Sequence, residues 1–227
     1  MAEVAGFPGR DDDVAAARAL QAELAARVAV RDGFRQPLRT IAGFSVGFED
    51  DGATTRAAVV LLDADSGQVL ASEIARTPTP MPCIPGLLSF RELPALLLAL
   101  EKLPQAPDLA FVDGHGIAHP CRLGTAAHFG VSTGLPSIGV ANTILVGSGS
   151  EPHQMRGAYT PLRQKGTQVG WILRSKVDCK PLVVSPGHRV SMASVADLAM
   201  RFTGKYRLPE PTRLANRLAS GRDEDHG

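Results

Sequence analysis

An apolar run that stops on an acid constrains this chain more than any other feature. Leu109-Ala110-Phe111-Val112 lies between Pro107 and Gly114 without polar alternation, which predicts a short strand buried on both faces. Such a strand needs helices above and below it, so an α/β architecture is expected. The run ends in Asp113-Gly114-His115-Gly116, and His119 follows. In open α/β sheets, ligands meet the chain where strands end and loops begin. Asp113 therefore stands where a metal or a substrate would be met, and the glycines let the backbone come close. Asp before Gly also caps turns, and on this stretch alone both readings stay open.

Periodicity supplies the surrounding elements. Val14, Ala17, Leu20, Leu24 and Val28 recur at helical spacing, so Asp11 to Val30 is predicted as an amphipathic helix. Thr40 to Phe48 reads as a first strand. Arg56 to Asp63 and Gln68 to Arg76 form a hairpin about Asp65-Ser66-Gly67. A Pro-rich connection from Pro78 to Gly86 leads to a helix near Leu93 to Lys102. Beyond the Asp113 strand, a small-residue helix near Gly124 to Phe129 and a buried strand, Ser137 to Ala141, imply parallel pairing. Strands at Gln168 to Ser175 and Pro181 to Ser185 precede a helix from Ser191 to about Phe202, and past Gly204 the chain is basic and interrupted by proline.

A length of 227 residues is enough for one sizeable core. Lys and Arg number 24 against 23 Asp and Glu, so any nucleic-acid contact must come from a local patch rather than a global basic field. Lys205, Arg207, Arg213 and Arg217 are candidates for that patch; a solvated helix face is the other reading of Arg213 and Arg217. No apolar run approaches the ~18 residues of a membrane span and the start lacks signal-peptide features, so a soluble, cytoplasmic protein with no membrane partner is expected. Cys83, Cys121 and Cys179 are odd in number and widely spaced, which predicts reduced thiols.

Several longer segments carry a family likeness. Met81-Pro82-x-Ile84-Pro85-Gly86-x-Leu88-Ser89-Phe90-Arg91-Glu92, Asp113-Gly114-His115-Gly116-x-x-His119-Pro120, Gly139-Val140-Ala141, Gly187-His188-Arg189 and Tyr206-Arg207-x-Pro209-Glu210-Pro211-Thr212-Arg213 closely resemble endonuclease V, in order and at compatible spacing from about Leu20 to Arg217. The resemblance implies an α/β, ribonuclease H-like mixed sheet, an antiparallel meander plus parallel strands, flanked by helices. It implies one domain over residues 1–227, with 1–10 and 223–227 expected to be disordered. It further implies a monomeric repair nuclease that hydrolyses a phosphodiester 3′ to a deaminated base (hypoxanthine, as inosine) in DNA, with RNA as a second candidate. The cofactor would be Mg2+, with Mn2+ as an alternative, held by a few carboxylates and the substrate phosphate.

Carried over residue by residue, the resemblance assigns Asp113 and Glu92 to the metal and His188 to the phosphate or the attacking water. Gly86, Leu88 and Gly114 would line the pocket for an extruded base, and the Pro82-to-Gly86 turn would fill the gap left in the duplex. Glu92 has a structural rival, since Ser89-x-x-Glu92 is a capping-box pattern, weakened by Pro94. His115 and His119 stand four apart, a zinc spacing on a helix, but Gly114, Gly116 and Pro120 argue against a helix there. His119 is expected to bond a phosphate or a structural carbonyl.

Three positions depart from the family pattern. Ser45 stands where the first strand is expected to bring an aspartate to the metal, Cys83 where the wedge is usually tyrosine, and Asn142 where a lysine usually follows Gly-Val-Ala. Cys121 also replaces a basic residue. Glu49 shares the strand face of Ser45 but lies roughly 13 Å along it, too far to substitute. A protein that keeps the fold and base pocket but cuts slowly, if at all, is therefore expected. The alternative is a catalytically silent binder of inosine-containing or branched nucleic acid.

Overall fold

The computed structural model describes residues 11–221. In chain order the elements are α1 (Asp11–Ala26), β1 (Thr40–Glu49), β2 (Thr54–Asp63), β3 (Val69–Pro78), α2 (Leu88–Glu101), β4 (Leu109–Asp113), α3 (Thr125–Thr133), β5 (Ser137–Ala141), β6 (Tyr159–Gln164), β7 (Thr167–Leu173), β8 (Leu182–His188), α4 (Met192–Arg201) and α5 (Glu210–Ala219). The expected disorder at 1–10 and 223–227 concerns residues outside this range.

All eight described strands share one sheet, in the order β3-β2-β1-β4-β5-β8-β7-β6. β1, β2 and β3 form the antiparallel meander. β4 runs parallel to both β1 and β5, and β8, β7 and β6 return antiparallel. The sheet is mixed, as the sequence implied. The apolar run of the first paragraph is its centre: Leu109, Ala110 and Phe111 are fully buried and Val112 nearly so.

Successive strand residues point to opposite faces, so each apolar run feeds two cores. Phe111, Val60 and Ile138 pack with Ala196 of α4 and Ala215 of α5 on one side. Val112, Leu61 and Phe44 pack with Leu96 of α2 and Phe129 of α3 on the other, where the Phe44 and Phe129 rings lie 4.6 Å apart. Each such fully buried side chain is worth roughly 1.5–3 kcal/mol of transfer free energy.

Departures from expectation have local causes. α2 starts at Leu88 rather than near Leu93, and Pro94 lies inside it. The capping box does not form: Leu87 is the N-cap without a side-chain bond, and Ser89 is engaged elsewhere. β6, which the sequence did not reveal, is an edge strand that contains Pro161, a residue tolerated in edge strands because no further strand requires its N–H. α5 is the helix that the alternative reading of Arg213 and Arg217 required, although Pro209 and Pro211 read as interruptions in the sequence. Proline belongs in a first helical turn, where its absent N–H has no partner to lose.

Candidate functional site

The C-terminal end of β4 carries Asp113, half-buried at the wall of a cleft of about 290 Å³. Glu92 reaches the same cleft from the second turn of α2. Also lining it are Cys83, Gly86 and Leu88 from the Pro-rich turn and α2, and Gly114 and His119 from the loop after β4. Residues distant in sequence thus converge as the family pattern implied. A wider surface depression of about 460 Å³, beside Phe34, Leu38 and Arg201, contains none of these groups. The smaller cleft holds the convergent carboxylates and is the candidate site.

The cleft is held open from behind. Gly86 adopts φ +82°, a left-handed conformation that favours glycine, and its carbonyl accepts a 2.6 Å hydrogen bond from Gln21 Nε2 of α1. This bond ties the Pro82-to-Gly86 turn to the body while Cys83 at its tip stays exposed.

The two carboxylates are in different environments. Thr125 Oγ1 donates to Glu92 Oε2 at 2.8 Å, yet burial pushes the Glu92 carboxyl up to about 7, with the negative Asp113 adding to the rise. Asp113 Oδ2 instead accepts two neutral donors: Ser45 Oγ at 2.9 Å and Asn216 Nδ2 at 2.9 Å. Ser45 is 1% exposed, locked beneath Asp113 on the neighbouring strand β1. Asn216, on α5, was not foreseen. The available signal was the apolar spacing of Leu214, Ala215 and Leu218 behind Pro209-Glu210-Pro211, which makes a helix whose other positions can face the sheet end.

The donor set fits a divalent cation poorly. Magnesium seeks several charged or carbonyl oxygens, but here a hydroxyl and an amide direct protons at the central carboxylate. Among the described residues, no group of three or more His, Cys, Asp or Glu is arranged to hold a metal. Glu49 cannot supply the missing charge, since Arg56 and Arg76 bind it at 2.8 Å each.

The histidines divide by environment. His119 is nearly buried, and its imidazole is pushed down to about 4, first by burial and then by the neighbouring His115. Its Nδ1 accepts from the Cys121 N–H at 3.3 Å, which leaves the proton on Nε2 as a neutral donor. His115 Nε2 pairs with the Thr143 carbonyl at 2.9 Å.

His188 is not brought to the carboxylates. It pairs across the sheet with Ser137, whereas Asp113 is level with Val140, three residues further along β5 and roughly 10 Å away. Its Nδ1 accepts from the Ala29 N–H at 3.1 Å, and Arg189 bonds the Gly33 and Gly134 carbonyls, so this motif pins the segment after α1.

Asn142 is exposed and lies outside the cleft lining. Its Oδ1 accepts from Arg207 Nη1 at 2.7 Å, while Arg207 also donates to the Lys180 and Pro181 carbonyls. Arg207 is thereby a structural strut, and Arg213 is held by Glu210 at 2.8 Å and stacked on Tyr206. Lys205 also lies over the Tyr206 ring.

Behind the cleft, His128 Nδ1 pairs with Ser89 Oγ at 2.9 Å, and burial pushes its imidazole down to about 4. The unfolded chain accepts a proton near pH 6.5 that the folded one refuses, so this group stabilises fully above that pH. The contribution, on the order of 3 kcal/mol, is lost as pH falls toward about 4. Denaturant titrations of His128→Gln are expected to show a flatter loss of stability across that window than the native chain, with His119, His115 and His188, whose imidazoles burial also holds down, contributing to the slope that remains.

Comparison with known proteins is consistent with this layout. A family model described as Endonuclease V matches residues 22–217. The endonuclease V of Xanthomonas campestris pv. campestris (strain 8004) is 61% identical over 218 residues, covering 96% of this chain and 92% of that protein. The crystal structure of endonuclease V from Streptomyces avermitilis aligns with a TM-score of 0.89 at 39% identity, over 97% of this chain and 96% of that one. A Ciona intestinalis endonuclease V in complex with DNA containing an inosine shares the fold with a TM-score of 0.81 at 21% identity, over 96% of this chain and 100% of that one.

Proposed function

The chain belongs to the endonuclease V family, and we propose that it recognises a deaminated base in DNA while hydrolysing the phosphodiester 3′ to that base slowly at best. One observation carries this reading: Cys83, Gly86, Leu88, Gly114 and His119 line one cleft, but the central carboxylate of its wall is met by Ser45 and Asn216 rather than by further acids. The Ciona relative holds inosine-containing DNA on the same fold.

Recognition follows from the cleft's own groups. An extruded purine enters between the Cys83–Gly86 turn and the loop from Gly114 to His119. Deamination replaces the adenine amino group, a donor, by a carbonyl, an acceptor. A neutral His119 with its proton on Nε2 offers the donor that such a carbonyl needs and leaves the amino group of adenine unpaired. Cys83 fills the gap in the duplex less well than an aromatic ring, so discrimination rests more on the pocket than on stacking.

Cleavage is the weaker half. A metal-assisted hydrolysis needs a cation held firmly enough to activate water at neutral pH, and the acids among the described residues do not cluster into such a set. RNA carrying inosine is accommodated by the same base contacts, and the phosphate backbone contacts decide between the two.

The test is a mobility shift of a labelled duplex with a single inosine beside its adenosine counterpart, run next to a denaturing gel of the same reactions. Preferential retention of the inosine duplex with little nicking is expected. His119→Phe should lower that preference by roughly tenfold, the worth of one buried hydrogen bond. Equal retention of both duplexes by the native chain, or rapid nicking in magnesium, would sink the reading.

A further inference from the structure

We infer that Ser45 and Asn216 form a neutral clasp that takes the place of a divalent cation at Asp113, so that this protein engages its nucleic acid without any metal ion. The inference rests on the recognition proposed above but is carried by a separate feature, the joint donation to one oxygen atom.

Two donors from different elements, β1 and α5, meet at Asp113 Oδ2 on the face of the sheet that α5 covers. Ser45 comes from β1, which runs parallel to β4, and Asn216 comes from α5, which is separated from Asp113 by 103 positions in the chain. Both bonds are 2.9 Å, within the range of well-made hydrogen bonds. Ser45 is 1% exposed, so its hydroxyl has little access to water and is committed to the carboxylate. A cation seated on Oδ2 would face the hydroxyl and amide protons and would have to displace both bonds.

The clasp also limits repulsion within the wall of the cleft. Two acids share its wall, and a third carboxylate at either donor position would add repulsion that only a cation could relieve. With a hydroxyl and an amide there instead, Asp113 gains two neutral partners. Thr125 likewise gives Glu92 one neutral donor. Each acid is therefore held by neutral groups of the protein itself, and the wall is rigid before substrate arrives. A pre-organised wall loses less on binding than one that must first collect an ion.

Isothermal titration of the native chain with magnesium chloride, then with manganese chloride, tests the clasp directly. No saturable heat is expected, and the melting temperature should not respond to either salt beyond the effect of matched ionic strength. The double variant Ser45→Asp with Asn216→Asp should bind both ions and melt several degrees higher in magnesium than in EDTA. Retention of the inosine duplex by the native chain should agree within about twofold between EDTA and magnesium.

Saturable binding of either ion to the native chain overturns the clasp, and so does a tenfold or greater loss of duplex binding in EDTA. The native-chain titration decides the matter whether or not the double variant folds. If the native chain ignores both metals and also ignores the inosine duplex, the clasp stands and the recognition reading falls.

Discussion

Replacing Ser45 and Asn216 together by aspartate is expected to raise inosine-dependent nicking by on the order of 10²- to 10³-fold over the native chain, equivalent to about 3–4 kcal/mol of barrier. The two positions surround Asp113 Oδ2 at 2.9 Å each, so the new carboxylates would stand next to Asp113, with Glu92 across the same cleft. That assembly offers the oxygen-rich set magnesium prefers, with room left for water and a phosphate oxygen. The single variant Ser45→Asp should recover less, because Asn216 would still direct an N–H at the central acid. Rates are read as product appearing on a denaturing gel under single-turnover conditions with excess protein. A double variant that binds magnesium yet nicks no faster would place the defect elsewhere, and Cys83 and Asn142 would be the next positions to restore.

The second large effect is on stability. Gly43→Ala is expected to cost about 3 kcal/mol or more and to lower the melting temperature by roughly 10 °C for a chain of this size. Gly43 lies in the middle of β1, paired with Val60 on one side and Phe111 on the other. A Cβ there would lie 1.8 Å from the Pro211 carbonyl oxygen and 2.2 Å from its carbon. Backbone atoms cannot turn aside as a side chain can, so the first turn of α5 would have to lift. Lifting it pulls Ala215 from the core and draws Asn216 from Asp113. Gly204→Ala is the matched control, since a Cβ there meets nothing within 4 Å. Thermal melts of both variants beside the native chain decide the point: equal melting temperatures for all three would mean that α5 is not pressed onto β1.

Some of this protein was readable before any coordinates. The unbroken apolar run before Asp113 demanded cover on both faces, and that alone placed a parallel strand at the middle of an α/β sheet with an acid at its end. Local chemistry was enough because hydrophobic periodicity and strand termination act over a few residues. The family pattern then gathered Cys83, Gly86, Leu88, Glu92, Gly114 and His119 at one place, and the structure brings them to one cleft.

What remained depended on distance in space. His188 shares a family segment yet ends three residues down the sheet, because β8 returns antiparallel and carries it past the cleft. Asn142 and Arg207 each stand out in the sequence as candidates for a phosphate contact, but the chain places them 2.7 Å apart and uses both in a strut. The spacing around Asn216 marks a helix but not its partner, and its role exists only because Gly43 lets α5 come down onto β1 beside Asp113. Sequence determined which elements form, since those choices are local. Tertiary structure alone decided which neutral groups meet the central acid, since a hydrogen bond between residues 103 positions apart is set by packing.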